Sequence, residues 1–207
     1  MKTWVALVGR AVLIVCFVPT VAALAQDEPL HALIDKHLAP VAGLEPVRCS
    51  DAEFLRRVSL DLIGMPPTSD EARAFLADEV PDKRQRLIDR LFASPHHTRH
   101  MAAVLDVMLM ERRAYVNVSA DEWHSWLLRS VRENKPWNVL AREILAADGD
   151  KSEQRAPARF ALDRGSDPHA VTRDVGRVFF GRDMQCAQCH DHPLVEDYLQ
   201  SDYHGLL

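Results

Sequence analysis

The chain has 207 residues, 47% of them hydrophobic and 27% charged, with a formal charge of −5. That length supports one large or two small domains whose core needs no disulfide framework. Basic and acidic residues are interspersed and the balance is acidic, which excludes the clustered basic stripe of a nucleic-acid surface.

The N-terminus reads as a leader. Lys2 and Arg10 flank an apolar opening, Ala11 to Val18 is a hydrophobic run, Pro19 breaks it, and Ala23-Leu24-Ala25 is a small-x-small cleavage site. The run is far shorter than the ~20 residues that span a bilayer, which argues against an uncleaved anchor. We therefore expect a secretory signal over residues 1–25, a mature domain over 26–207, no membrane span after cleavage, and export to the periplasm or cell envelope. Removing the leader takes two basic and no acidic residues, leaving a mature charge of −7. Cys16 leaves with it, so Cys49, Cys186 and Cys189 remain, an odd number. Cys49 reads first as a buried small hydrophobe, with a free thiol or a partner for the later pair as alternatives.

Leu30, Leu33, Ile34 and Leu38 recur at helical spacing, so a short amphipathic helix is expected up to Ala39-Pro40, with a connector over 43–47. His31 and His37 lie off that stripe and read as solvated. The next helix is strongly marked: Ser50 and Glu53 form a capping-box pattern, Phe54, Leu55, Val58, Leu62 and Ile63 make the stripe, and Gly64 stops it. Thr68 to Glu71 repeats the pattern before Ala72, Phe75 and Leu76, and Pro81 opens a helix that turns Leu87, Ile88, Leu91 and Phe92 inward. Pro95 opens a longer helix through Met101, Val104, Leu105, Met108 and Leu109. Ser119 with Glu122 starts one carrying Trp123, Trp126, Leu127 and Val131. Asn134-Lys135-Pro136 separates it from a helix with Trp137, Leu140, Ile144 and Leu145. Asp148 to Ala158 is polar and reads as the one substantial loop. Ser166 or Asp167 before Pro168 starts the last long helix, which runs towards Gly181.

Several residues on these helices have a functional and a structural reading. His96, His97, His100, Met101, Met108 and Met110 have the chemistry of an axial haem ligand, but methionines on an apolar face ordinarily fill core. Arg57 and Asp61 are spaced for an intrahelical ion pair, and Trp123, Trp126 and Trp137 for a helix interface. No nucleophile, base and orienting acid can be nominated together, and Asp121 with Glu122 falls where capping explains it, so no catalytic residues are expected. No Gly-rich phosphate cradle and no internal repeat occurs.

The chemistry concentrates in Gln185-Cys186-Ala187-Gln188-Cys189-His190-Asp191-His192-Pro193. Cys-x-x-Cys-His is the sequence form of covalent haem attachment: two thiols add to porphyrin vinyl groups and the adjoining imidazole ligates iron. If the segment is helical, Cys186, Cys189 and His190 share one face. On this reading Cys186 and Cys189 anchor haem c, His190 is the axial ligand, and the activity is electron transfer with a redox partner that the sequence does not name. A second reading is a non-haem metal site, such as zinc, on Cys186, Cys189, His190 and His192. Four ligands so close in sequence strain a tetrahedron, so Cys49, His169 or His204 would have to contribute. A third makes the two cysteines a local disulfide in a helical scaffold for interaction, with no cofactor. A thioredoxin-like dithiol is disfavoured, because no βαβ pattern precedes the motif.

The run Phe54 to Thr68, then Pro81 to Arg84 and Leu87 to Leu91, closely resembles the DUF1549 family, the domain called planctomycete-specific cytochrome type 2. The likeness resumes at Glu133 to Trp137, Arg142 to Ala147, Arg159-Phe160, Val178 to Gly181 and the Cys186 to Pro193 motif. Leu194 stands where the family often has Phe. The resemblance implies a cytochrome c-like, exported protein of Planctomycetes or related bacteria, in a family without a settled biochemical function. It also implies continuation beyond Leu207 into a further domain, so the chain reads as incomplete at its C-terminus. The fold expected from the helical periodicities is all-α, an irregular multi-helix domain with a C-terminal Cys-x-x-Cys-His segment.

Overall fold

The computed structural model describes residues 28–42 and 48–207; the leader expected over residues 1–25 and the connector over 43–47 lie outside them. The described residues form ten α-helices and one 3-10 turn, with no strand among them. None of the described helices is long and apolar enough to cross a membrane. The chain divides into two units, Met1–Arg48 and Cys49–Leu207.

In the first unit, α1 (Leu30–Ala42) continues through Pro40 instead of ending before it. Proline's fixed φ is itself helical, and so near a C-terminus its missing N–H removes only one intrahelical bond. Leu30, Leu33, Ile34 and Leu38 are exposed, as are His31 and His37.

The second unit begins with α2 (Asp51–Ile63), α3 (Ser69–Ala77) and α4 (Lys83–Phe92), packed around Leu55, Phe75, Leu87 and Leu91. Ser50 caps α2 by accepting the Glu53 N–H at 3.3 Å. The reciprocal arm of the expected box is missing, because Glu53 pairs with Arg57 at 2.8 Å; this pair also replaces the expected Arg57–Asp61 one. On α3 the box is complete, with the Glu71 N–H donating to Thr68 Oγ1 and the Thr68 N–H donating to Glu71 Oε2. These bonds from Thr68 hold the Glu71 carboxyl below its ordinary range. Asp51 ties α4 to the start of α2 through Lys83 at 2.6 Å and Arg84 at 2.7 Å. Gly64 ends α2 with φ 71°, and a Cβ there would lie 2.4 Å from His100 Nδ1, so only glycine meets both demands.

The main core lies between α5 (Pro95–Met110), α6 (Ala120–Arg132), α7 (Trp137–Leu145), α8 (Ser152–Leu162) and α9 (Pro168–Phe180). It includes Leu109, Met110, Trp123, Leu127, Ile144 and Phe160. Helix α5 packs against α2, α4 and α6, joining the two cores. The capping box of Ser119 and Glu122 and the Asp167 cap before Pro168 form as expected. Asn134 takes φ 47° in the α6–α7 turn, a conformation its short polar side chain tolerates. Trp123 and Trp126 stack with centroids 5.2 Å apart inside the helix interface. Leu76, Phe92, Val104, Met108, Trp137 and Leu145, expected inward, are exposed. Each borders the buried stripe of its helix, where rotation of the whole element decides which edge is covered.

The largest departure is α8, which occupies most of the expected loop and carries Pro157 in its interior. Its polar first turn, Ser152 to Gln154, and its proline read locally as a breaker. Non-local burial overrides them: Ala156, Pro157, Ala158, Arg159 and Phe160 are all buried. Arg159 has no exposed side-chain surface. Its guanidinium donates to Asp163 at 2.8 Å, to Asp106 at 3.4 Å and to the Arg113 carbonyl at 2.9 Å, and it lies 3.9 Å from the Tyr115 ring centroid. Arg164, just beyond the helix, donates to Asp174, to the Phe160 carbonyl at 2.6 Å and to the Leu109 carbonyl at 2.9 Å.

Candidate functional site

Gly181 closes α9 in the left-handed region at φ 66°. The chain then folds back along the helix that precedes it. The Arg182 N–H donates to the Gly176 carbonyl at 2.9 Å. A Cβ on Gly176 would come within 3.1 Å of the Met184 side chain, so the glycine allows the close approach. One turn nearer the start of α9, Arg173 donates to Gln188 Oε1 at 2.9 Å. Nearer still, His169 Nδ1 lies 2.7 Å from the Tyr203 hydroxyl.

The motif forms a single helical turn, a 3-10 segment over Cys186–Gln188. The N–H groups of Cys189 and His190 donate to the Cys186 carbonyl at 3.3 and 3.4 Å. Ala187 is the inward side of this turn, with no exposed surface, and packs with Met184 and Tyr203 in a small separate core. Tyr203 comes from α10 (Gln200–Leu206), which packs on the turn. Burial pushes the Tyr203 phenol up; Arg173 opposes this, while Asp167 and Cys189 add to it.

With Ala187 inward, Cys186 and Cys189 stand exposed as free thiols, and His190 is exposed beside them. His190 Nδ1 lies 2.7 Å from the Asp191 carbonyl oxygen. A carbonyl only accepts, so Nδ1 carries the proton and Nε2 keeps its lone pair, the tautomer a ligating imidazole needs. Asp191 is itself anchored, its carboxylate accepting the Gln200 N–H at 2.8 Å at the start of α10. Phe180, Leu194, Val195 and Leu199, apolar residues that precede and follow the turn in sequence, are exposed.

His192 is held differently. Its Nδ1 accepts the N–H groups of Leu194 at 3.2 Å and Val195 at 3.1 Å, and its own N–H donates to the Tyr198 carbonyl at 2.8 Å. Its ring meets that of Tyr198 edge-on at 5.7 Å. Among the described residues no three His, Cys, Asp or Glu side chains converge as a metal-ligand group. Cys49 belongs to the α2 start, where its carbonyl accepts from Arg84 at 2.8 Å. His169 and His204 both flank Tyr203.

The α5 residues considered as axial ligands stand in different settings, and Met108 is exposed. His97 Nδ1 donates to the Leu62 carbonyl at 2.8 Å, His96 accepts from Arg99 at 3.0 Å, and His100 lies under Gly64. Met110 is fully buried and its sulfur meets Arg164 at 3.7 Å. Sequence reasoning passed over Arg173, Gln188, Asp191, Tyr203 and Gln200, the polar staples of the turn. Only Asp191 carried a signal, its place between the two histidines.

Fold and site define a helical domain that presents an exposed Cys-x-x-Cys-His turn on a small core of its own. The family model PSCyt2, described as "Protein of unknown function (DUF1549)", matches residues 29–207, and the chain belongs to that family. No curated protein and no solved structure matches the chain.

Proposed function

We propose that this chain is an exported c-type haem module for one-electron transfer, with Cys186 and Cys189 as thioether anchors and His190 as an axial ligand. The observation that carries this reading is the turn itself. Two free thiols and an imidazole with its Nε2 lone pair available are exposed together, while Ala187 between them is buried. Cys186 and Cys189 would hold the group as thioethers, each S–H adding across a vinyl double bond without an oxidant, so both cysteines must be reduced. A haem held there by Cys186, Cys189 and His190 would supply one-electron chemistry. Phe180, Leu194, Val195 and Leu199, exposed in the segments that flank the turn in sequence, supply apolar surface of the kind a porphyrin face requires. Asp191 orients the imidazole through its carbonyl, a role that backbone and carboxylate partners commonly play for ligating histidines.

The test is export of the full chain in a host with haem-maturation machinery, followed by peroxidase staining on a denaturing gel and a pyridine haemochrome spectrum. Covalent haem present in the parent and lost in Cys186→Ala/Cys189→Ala is the expected result. A folded, exported protein without haem would sink the proposal.

A further inference from the structure

His190 and His192 present the same side chain to opposite tasks. The carbonyl facing His190 Nδ1 can only accept, whereas the two N–H groups facing His192 Nδ1, from Leu194 and Val195, can only donate. A neutral His192 therefore carries its proton on Nε2, and binding a metal there requires both backbone bonds to be given up. We infer that His192 is a positioning residue for His190, acting through Nδ1 alone; the inference rests on the haem reading above. The route is short. Asp191, whose carbonyl orients the His190 ring, is fixed between two anchors: its own carboxylate on the Gln200 N–H, and the adjoining His192 N–H on the Tyr198 carbonyl. His192 Nδ1 closes the loop between those anchors by satisfying the Leu194 and Val195 N–H groups, which no other acceptor among the described residues meets. The same closure turns Leu194 outward, 88% exposed, four residues beyond His190.

The assignment makes an ordered prediction, because two amides place oxygen at different reach. Asn Oδ1 sits at the same bond count from Cβ as Nδ1, and the Gln carbonyl oxygen reaches the position of Nε2. His192→Asn should keep haem loading within about twofold of the parent, while His192→Gln and His192→Ala lose about tenfold, the range typical for groups that orient a ligating histidine. His192→Asn should also leave the midpoint potential in place, whereas the small loaded fraction of the other two should show it shifted. The reverse order, with Gln retaining and Asn losing, would make His192 an Nε2 ligand and overturn the inference; so would equal loss in Asn and Ala, or no loss in Ala. A second measurement separates this from the haem reading. In the reduced, haem-free full chain, at a pH where imidazoles are neutral, long-range proton–nitrogen-15 correlation should show the proton on Nδ1 of His190 and on Nε2 of His192. If the parent takes up no haem, the haem proposal fails while the tautomers still decide this one; His192 protonated on Nδ1 overturns it.

Discussion

Arg159 and Arg164 are cations with no exposed side-chain surface, set among carboxylates, carbonyls and aromatic faces. Cys186, Cys189 and His190 stand in the open on one turn, backed by Ala187, Met184 and Tyr203 with Tyr198 packed against them. The first region uses its polar groups to hold three helices in one arrangement; its guanidinium donors reach α5, α8, α9 and the segment after α5. The second keeps its reactive atoms unengaged and is held by a few staples to α9 and α10. The contrast teaches that the candidate site sits on a thin appendage to a core built for rigidity, and that the two should respond separately to mutation.

The sharpest way to break that contrast is Arg159→Met. Removing the cation leaves Asp163, whose side chain is 1% exposed, a buried charge with only the Asn117 donors, and a buried pair broken on one side costs about 3–5 kcal/mol. The urea midpoint of the whole Cys49–Leu207 unit should fall by the corresponding amount. A loss under about 1 kcal/mol would mean that the buried network is not what holds the helices.

Acid sharpens the same point. Burial alone would push the Asp163 carboxyl up, but hydrogen bonds from Arg159 and Asn117 outweigh it and hold the group below its ordinary value. A depressed folded pKa means that the contribution to stability is complete above the unfolded value of about 4 and is lost as pH falls through the folded one. In Arg159→Met only the Asn117 donors remain to oppose burial, so protonation of Asp163 opposes folding less there than in the parent. The stability gap between parent and variant should narrow as the pH drops below about 4, and urea titrations at several pH values would read it. A constant gap would show that Arg159 does not control Asp163.

The smallest effect belongs to the appendage. Tyr203→Phe removes one hydroxyl and its bond to His169 while keeping the ring beside Ala187, at a cost of about 0.5–1.5 kcal/mol. Amide exchange should speed up over residues 184–190 and stay unchanged in α5 to α8, since local opening follows the local core. A uniform change across the unit would erase the distinction between the two regions.

Signals lying within four residues of one another made most helices legible. The Thr68 and Ser119 boxes, the prolines that open α5 and α9, and the glycines at 64 and 181 satisfy backbone groups locally, so the chain announces them without its fold. The Cys-x-x-Cys-His spacing is local in the same sense, and the segment forms a single short turn. Helix α8 was hidden because its polar start and Pro157 argue for a loop, while the partner that buries Arg159, Asp106, lies 53 residues away. Glu53 could complete a cap or pair with Arg57, two bonds of similar strength, and only the finished surface chose between them. The division of labour between His190 and His192 is of the same kind. A sequence gives both the same ring; which nitrogen of each bears the proton depends on whether a carbonyl or an N–H faces it, and folding alone brings those groups there.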